Sequence, residues 1–323
     1  MRLTTLADGS PDGRLHLVSR DNTRCTPAMA VPSLRLLMED WDSFAPALEA
    51  EYAALNAGGG APFDAARAQA PLPRAWQWLD GSAYDSHGAL MQKVFGADPN
   101  PEGRPLMYQG MSHCFLGGTQ DVPLPSEEDG IDFEGEFGVI CDSIPVGSTA
   151  TEAAARIRLV VQINDWSLRS IAAIEMKTGF GWIQAKPACS VAPIALTPDE
   201  LGDAWRECRI DLPLRVDLNG TRFGHAEGYP MSYGFDQLLA HAAQSRDLVA
   251  GTVLGSGTVS NETYREVGST CIAERRAIEL LDEGAQRTPY MRFGDRVFME
   301  CRDREGAPLF GPIDQQVIKG GRT

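Results

Sequence analysis

Asp132-Phe133-Glu134-Gly135-Glu136-Phe137-Gly138-Val139-Ile140 reads as a strand over residues 133–140 with two acids set into an apolar run. Strand side chains alternate between faces, so Glu134 and Glu136, two residues apart, point the same way. Neighbouring carboxylates repel. A hard cation such as Mg2+ or Ca2+ holds both ionised. The other reading is an acidic, solvent-facing side of an antiparallel strand, and these nine residues alone leave both open.

Downstream, Val160-Val161-Gln162-Ile163-Asn164-Asp165-Trp166-Ser167-Leu168-Arg169 is an apolar strand that delivers Asn-Asp at its end. Site residues commonly stand where a rigid element gives way to a loop. Asp165 is a candidate third oxygen ligand, and Arg169 a candidate partner for a carboxylate or phosphate. The alternative makes Asp165 a helix cap and Arg169 half of a surface ion pair. Upstream, Trp76-Gln77-Trp78-Leu79-Asp80-Gly81-Ser82-Ala83-Tyr84-Asp85-Ser86-His87 places one of the five histidines close to aromatics and to an acid. Histidine is the usual general base at neutral pH, although a lone histidine is more often an ordinary side chain. Lys186 follows a glycine-aromatic stretch where a loop can turn it inward, and Gly255-Ser256-Gly257-Thr258 is a late turn.

The surrounding chain supplies short strands and few helices. Residues 1–30 read as strands with Asp-Gly turns. Residues 33–57 carry Leu34, Leu37, Trp41, Phe44, Leu48, Tyr52 and Leu55 near a 3.6 period, a helix that Pro46 splits or kinks. Gly58-Gly59-Gly60 ends it, and Ala70-Pro71-Leu72-Pro73 reads as a linker, which sets a boundary between residues 1–72 and 73–323. Asn219-Gly220 between residues 212–218 and 221–223 predicts a hairpin. Residues 151–158 and 235–245 read as helices; residues 252–255, 271–281 and 296–302 read as strands. With no regular β-α-β rhythm, the pattern favours a strand-rich α+β roll or sandwich.

The 323 residues carry 29 Lys and Arg against 44 Asp and Glu, a net charge of −15. Phosphate backbones need a basic face, so non-specific nucleic-acid binding is excluded. No apolar run is long enough to span a membrane. Asp8 interrupts the place of a signal-peptide core, and seven irregularly spaced cysteines lack any C-x-x-C, which together lead us to expect a cytoplasmic protein. G-x-S-x-G, H-E-x-x-H and Walker A patterns are absent.

The ordered set Glu134-Gly135-Glu136, Asn164-Asp165-Trp166-Ser167-Leu168-Arg169, Lys186 and Ser256-Gly257-Thr258 resembles the fumarylacetoacetate hydrolase family from about residue 72 to 318. The N-terminal segment is similar to the small extra domain of its longer, fumarylacetoacetase-like members. The resemblance implies a mixed β-sandwich roll behind a small N-terminal domain. It implies a divalent cation, Mg2+ first and Mn2+ or Ca2+ as alternatives, on Asp80, Glu134, Glu136 and Asp165. His87, seven residues after Asp80, matches the family's catalytic histidine; Tyr108, Arg169, Lys186 and Thr258 match positions that hold the substrate and its developing charge. Two positions depart from the pattern. Ala172 stands where a substrate-binding glutamine is expected, and Ile272 where the histidine's partner glutamate is expected. Glu274, on the same face of the expected strand, takes that partner's role. The implied reaction is C–C hydrolysis of a β-diketo acid, fumarylacetoacetate to fumarate and acetoacetate in aromatic amino-acid breakdown, by a homodimer. Decarboxylation, tautomerisation or dehydration of a keto acid, or cation-stabilised binding without turnover, are the alternatives.

Overall fold

In the computed structural model residues 1–95 and 104–320 are described. Residues 132–140 are only partly strand. Gly135–Cys141 is the strand, whereas Phe133 and Glu134 lie before it, with Glu134 bridging to Cys271. This strand pairs antiparallel with Ile157–Asn164 on one side and Thr252–Gly255 on the other. Around them, among the described residues, lies a 12-stranded sheet. Its main path runs Ala61–Pro62, Arg24–Pro27, Arg14–Val18, Arg2–Leu6, Ala195–Leu196, Ile157–Asn164, Gly135–Cys141, Thr252–Gly255, Trp78–Ser82, Leu106–Gly110. The N-terminal strands therefore continue the same sheet that carries the Glu-rich segment.

All seven residues of Gly135–Cys141 are buried because the sheet is covered on both faces. On one face Phe137, Val139, Val160 and Leu254 share a core with Leu214, Val216, Met299 and Phe310. These partners come from a five-stranded sheet ordered Thr221–Glu227, Pro213–Leu218, Arg296–Cys301, Ile313–Lys319, Val122–Leu124, or from the loop before Ile313. Gln162 joins the layers, donating to Met299 O at 3.2 Å and accepting from Cys301 N at 2.9 Å. On the other face Ile140, Leu159, Val161 and Ile163 pack with Leu34, Leu37, Leu48 and Tyr52 of the N-terminal helices. The strand-rich α+β sandwich is thus the observed fold.

Three local expectations need correction. The break in residues 33–57 falls at Asp40, whose φ of −149° and ψ of 58° leave the helical region, between helices Leu34–Glu39 and Trp41–Ala57; Pro46 sits inside the second. Residues 271–281 are not a strand: Ile272–Glu283 is a helix that buries Ile272 in the main core and, on another side, Ala277 and Ile278 against Leu90. The helix expected over 151–158 is the single turn Ala150–Ala154, closed by a Thr149–Glu152 capping box, and residue 157 already begins the next strand. The Asn219-Gly220 hairpin forms as expected, with positive φ at both residues. Among the described residues the seven cysteines are free, and no helix is long and apolar enough to cross a membrane.

Candidate functional site

Strand order brings the acids together. Tyr108 lies opposite Asp80, Asp80 lies opposite Gly255, and the next strand carries Glu136. Gly255 is what lets two carboxylates meet across the intervening strand. A Cβ there would stand 2.5 Å from Asp80 Oδ1 and 2.9 Å from Glu136 Oε2. Glu134 is registered by the end of the neighbouring strand: its N–H donates to Asn164 Oδ1 at 3.0 Å and its carbonyl accepts from Asp165 N at 3.0 Å. The Asn-Asp pair thereby fixes Glu134 and presents Asp165 beside it.

Asp80, Glu134, Glu136 and Asp165 are buried, and each offers a carboxylate oxygen within 4.8 Å of the others. Among the described residues, both oxygens of Glu136 and Oδ1 of Asp165 have no hydrogen-bond partner. Buried, unpartnered carboxylates are costly. Burial, reinforced by the neighbouring acids, pushes Asp80, Glu136 and Asp165 above the usual carboxylate range. Burial acts on Glu134 in the same direction, but Lys186 and Arg169 outweigh it and hold that group low. An all-oxygen donor set with orphaned acceptors fits a hard divalent cation, and this cluster can hold one.

Lys186 Nζ donates to Asp165 Oδ2 at 2.6 Å and to Glu134 Oε1 at 3.1 Å. Burial works against its charge, and Asp165 and Glu134 more than offset this, holding it protonated. The loop before it is clasped at its base: Ile183, Gln184 and Ala185 donate their N–H groups to the Glu175 carboxylate at 3.0, 3.0 and 3.1 Å. Arg169 Nε donates to Asp132 Oδ2 at 2.8 Å, and its Nη2 stands 2.7 Å from Glu134 Oε1 as an ion pair. Tyr108 donates to Asp165 Oδ2 at 2.5 Å, and Thr258 to Glu134 Oε2 at 3.0 Å, so both hold cluster acids here. Ala172 is buried in the short helix Arg169–Glu175.

His87, on the helix Asp85–Phe95, meets Glu274 on the helix Ile272–Glu283; Nδ1 and Oε2 are 2.8 Å apart. The Glu274 side chain is fully buried and that of His87 is 22% exposed. His87 is near enough to Glu134 for its charge to lower that acid's pKa. The residues singled out by the sequence thus gather in one place, with Glu274 arriving from a helix.

Other contributors were not singled out. Ser167 donates to Glu134 Oε1 at 2.8 Å; as the serine of N-D-x-S it had a signal. Trp182 packs edge-on to Tyr108 with ring centroids 4.8 Å apart, and Lys186 Nζ lies 5.4 Å from its ring. Asp132 and Gly255 carry no sequence signal of their own, because their importance comes from neighbours distant in the chain.

Comparison with known proteins finds related sequences and shared folds. The chain is 25% identical over 205 residues to 2,4-didehydro-3-deoxy-L-rhamnonate hydrolase of Sphingomonas sp., covering 60% of this chain and 68% of that one. It is 24% identical over 157 residues to a mitochondrial oxaloacetate tautomerase of Rattus norvegicus, covering 48% of each. Its fold is shared with maleylpyruvate hydrolase of Sphingobium sp., solved with manganese(II) and pyruvate, at a TM-score of 0.67 and 17% identity over 99% of this chain and 100% of that one. A 5-carboxymethyl-2-hydroxymuconate delta-isomerase of Mycobacterium smegmatis gives a TM-score of 0.62 at 19% identity, covering 100% of each. Residues 1–74 match the fumarylacetoacetase N-terminal domain 2 model. Residues 77–318 match the fumarylacetoacetate hydrolase C-terminal model, and the chain belongs to the fumarylacetoacetate hydrolase family.

Proposed function

We propose that this chain is a divalent-cation-dependent hydrolase that cleaves a C–C bond of a β-diketo acid, with fumarylacetoacetate as substrate and fumarate and acetoacetate as products. The observation that carries this reading is the His87–Glu274 pair beside the four-carboxylate cluster. The relatives named as hydrolases support water as the co-substrate, and the one holding manganese(II) and pyruvate supports an oxo acid beside a cation. Mg2+ is the proposed ion, with Mn2+ or Ca2+ compatible with the same oxygen ligands.

A cation on Asp80, Glu134, Glu136 and Asp165 supplies Lewis-acid polarisation to the oxygens of a 1,3-dicarbonyl. With Nδ1–H donated to Glu274, His87 keeps its Nε2 lone pair for a proton of water. The hydroxide adds to the carbonyl carbon. The C–C bond then breaks and its electron pair leaves as an enolate, which takes the proton held on His87 to give the second product and restore the base. Lys186 offsets the oxyanion charge, an effect of roughly 3 kcal/mol for a single well-placed donor. Arg169 and Tyr108 anchor the substrate's carboxylate ends, and Thr258 lies alongside. An acidic chain that binds an acidic substrate needs these local cations.

A second reading, keto-acid tautomerisation or isomerisation, is favoured by one feature. Tyr108, Asp165 and Lys186 form a chain of hydrogen bonds of 2.5 and 2.6 Å that can move a proton without water. A homodimer belongs to the same proposal, supported by the exposed apolar side chains Ile174, Met176, Phe180 and Ile183 on and after the helix Arg169–Glu175. The test follows the diketone absorbance of fumarylacetoacetate with EDTA-stripped protein, before and after Mg2+ is restored. Cation-dependent formation of fumarate is expected, and His87→Ala should lose most turnover while still binding the ion. A His87→Ala variant with near-normal kcat would remove the base assignment. Turnover of enol-oxaloacetate alone would favour the second reading.

A further inference from the structure

Asp132 lies two residues before the first cluster acid, is fully buried, and takes no part in the proposed chemistry. Its carboxylate has three donors. Arg169 Nε reaches Oδ2 at 2.8 Å, Ala273 N reaches Oδ2 at 2.9 Å, and Ile272 N reaches Oδ1 at 2.7 Å. The last two are the first N–H groups of the helix Ile272–Glu283, whose third residue is Glu274. The opening N–H groups of a helix have no partner inside it. This helix has Cys271 at its N-cap, where the thiol accepts from Glu274 N at 3.3 Å. The strong acceptor for the first turn is therefore Asp132, about 140 residues away in the chain.

One carboxylate thus ties three parts together. Through the chain it is fixed to Glu134 of the cluster. Through Arg169, whose guanidinium also pairs with Glu134, it is tied to the cluster a second time. Through two backbone N–H groups it sets the position of the turn that carries Glu274, and hence of His87. We propose that Asp132 is a positioning residue that registers the His87–Glu274 pair against the carboxylate cluster. Reacting groups must be held within a fraction of an ångström for such a pair to act, and a rigid support around them provides this.

Asparagine is the informative replacement because it keeps the shape. Its oxygen can take the place of Oδ1 or Oδ2 but not both. Its amide then faces either Ile272 N–H or the Ala273 and Arg169 donors, so one donor always meets another donor. Asp132→Glu keeps the charge and both acceptors but pushes them one methylene further, and serves where the asparagine variant does not fold.

The experiment has two arms. The first needs no substrate: the proton spectrum of the folded protein is searched for a slowly exchanging downfield His87 Nδ1–H resonance, identified by its loss in His87→Gln and Glu274→Gln. In Asp132→Asn this resonance should vanish or exchange at least tenfold faster. Leu239→Ala, a core truncation in another helix, should keep it at an equal or larger loss of melting temperature. The second arm rests on the hydrolytic reading. Asp132→Asn should lower kcat at least tenfold in the wild-type background and less than twofold in His87→Ala. An unchanged resonance in the folded Asp132→Asn protein overturns the proposal, as does an equal kcat effect in both backgrounds. Absence of any hydrolysis by the wild type overturns the proposed function, and the first arm still decides the role of Asp132.

Discussion

Gly255→Ala adds one methyl group at the point where two cluster acids approach each other across a strand. Gly255 lies in a strand and is not among the glycines with positive φ, so alanine meets no backbone penalty there. The whole effect comes from contact. The new Cβ would stand 2.5 Å from Asp80 Oδ1, 2.5 Å from Trp78 Cη2 and 2.9 Å from Glu136 Oε2. Trp78, Asp80 and Glu136 are 1, 5 and 0% exposed, so none can yield into solvent. Overpacking of this kind costs about 1–3 kcal/mol. Disturbing groups that merely support metal ligands weakens binding roughly 10–100-fold. Here two of the four proposed ligands themselves must move, so we expect at least about a 100-fold loss of Mn2+ affinity, near 2.8 kcal/mol at 1.4 kcal/mol per tenfold. Titration calorimetry of EDTA-stripped protein with Mn2+ measures this directly. Gly81→Ala is the control: its Cβ would meet Gly255 O at 3.2 Å and Leu238 Cδ1 at 3.3 Å, away from the acids. It should lower the melting temperature and leave affinity within about threefold, well under 1 kcal/mol. A Gly255→Ala protein that binds Mn2+ as the wild type does would refute the cradle described here.

Two further outcomes follow from the buried charges. Lys186→Met removes the cation that shares Asp165 and Glu134, leaving buried acids uncompensated. The stripped protein should lose about 3–5 kcal/mol, regain stability in excess Mn2+, and show no turnover; an affinity lowered more than tenfold would contradict this reading of Lys186. The second outcome concerns pH. Asp80, Glu136 and Asp165 are raised by burial and by one another, so the folded, cation-free protein holds protons that the unfolded chain has released. Its stability must therefore fall as pH rises from the ordinary carboxylate range toward the raised values, by up to about 1.4 kcal/mol per pH unit for each proton. Glu134, shifted the other way, loses its contribution only as pH falls below the ordinary carboxylate range. Saturating Mn2+ should flatten the slope, and melting curves with and without EDTA between pH 5 and 8 would show equal slopes if the reasoning is wrong.

How much of this was legible in the sequence depended on distance along the chain. Glu136 stands in a short strand, and Glu134 and Asp165 lie at strand ends, in runs whose character is local, so the three are readable as candidate oxygen ligands from those runs. Lys186 and Thr258 gain their meaning as members of an ordered set, and Asp80 and His87 theirs from the family resemblance that the set carries. Strand alternation points to Glu274 beside the histidine, whereas the segment is a helix and its third residue makes the contact. That helix begins without a Ser, Thr, Asp or Asn at its N-cap, and its acceptor is Asp132. A cap supplied from the far side of the fold leaves no trace in the local sequence. The break at Asp40 has no local breaker as strong as Pro46 to mark it; the chain turns there because Met38 and Trp41 both reach the core.

The continuity of the sheet into the N-terminal strands bears on how the chain could be divided. Arg2 and Leu3 pair with Leu196 and Ala195, and helices Leu34–Glu39 and Trp41–Ala57 roof the face formed by Ile140, Leu159, Val161 and Ile163. A fragment without residues 1–72 would keep every cluster acid yet turn Ala195–Leu196 into an open border with unpaired N–H and C=O groups. It would also bare the apolar underside of the strands that carry Glu136 and lead to Asp165. Such a border is a template for self-association. The segment that contributes no cluster ligand is therefore what keeps the remaining strands from sticking to one another.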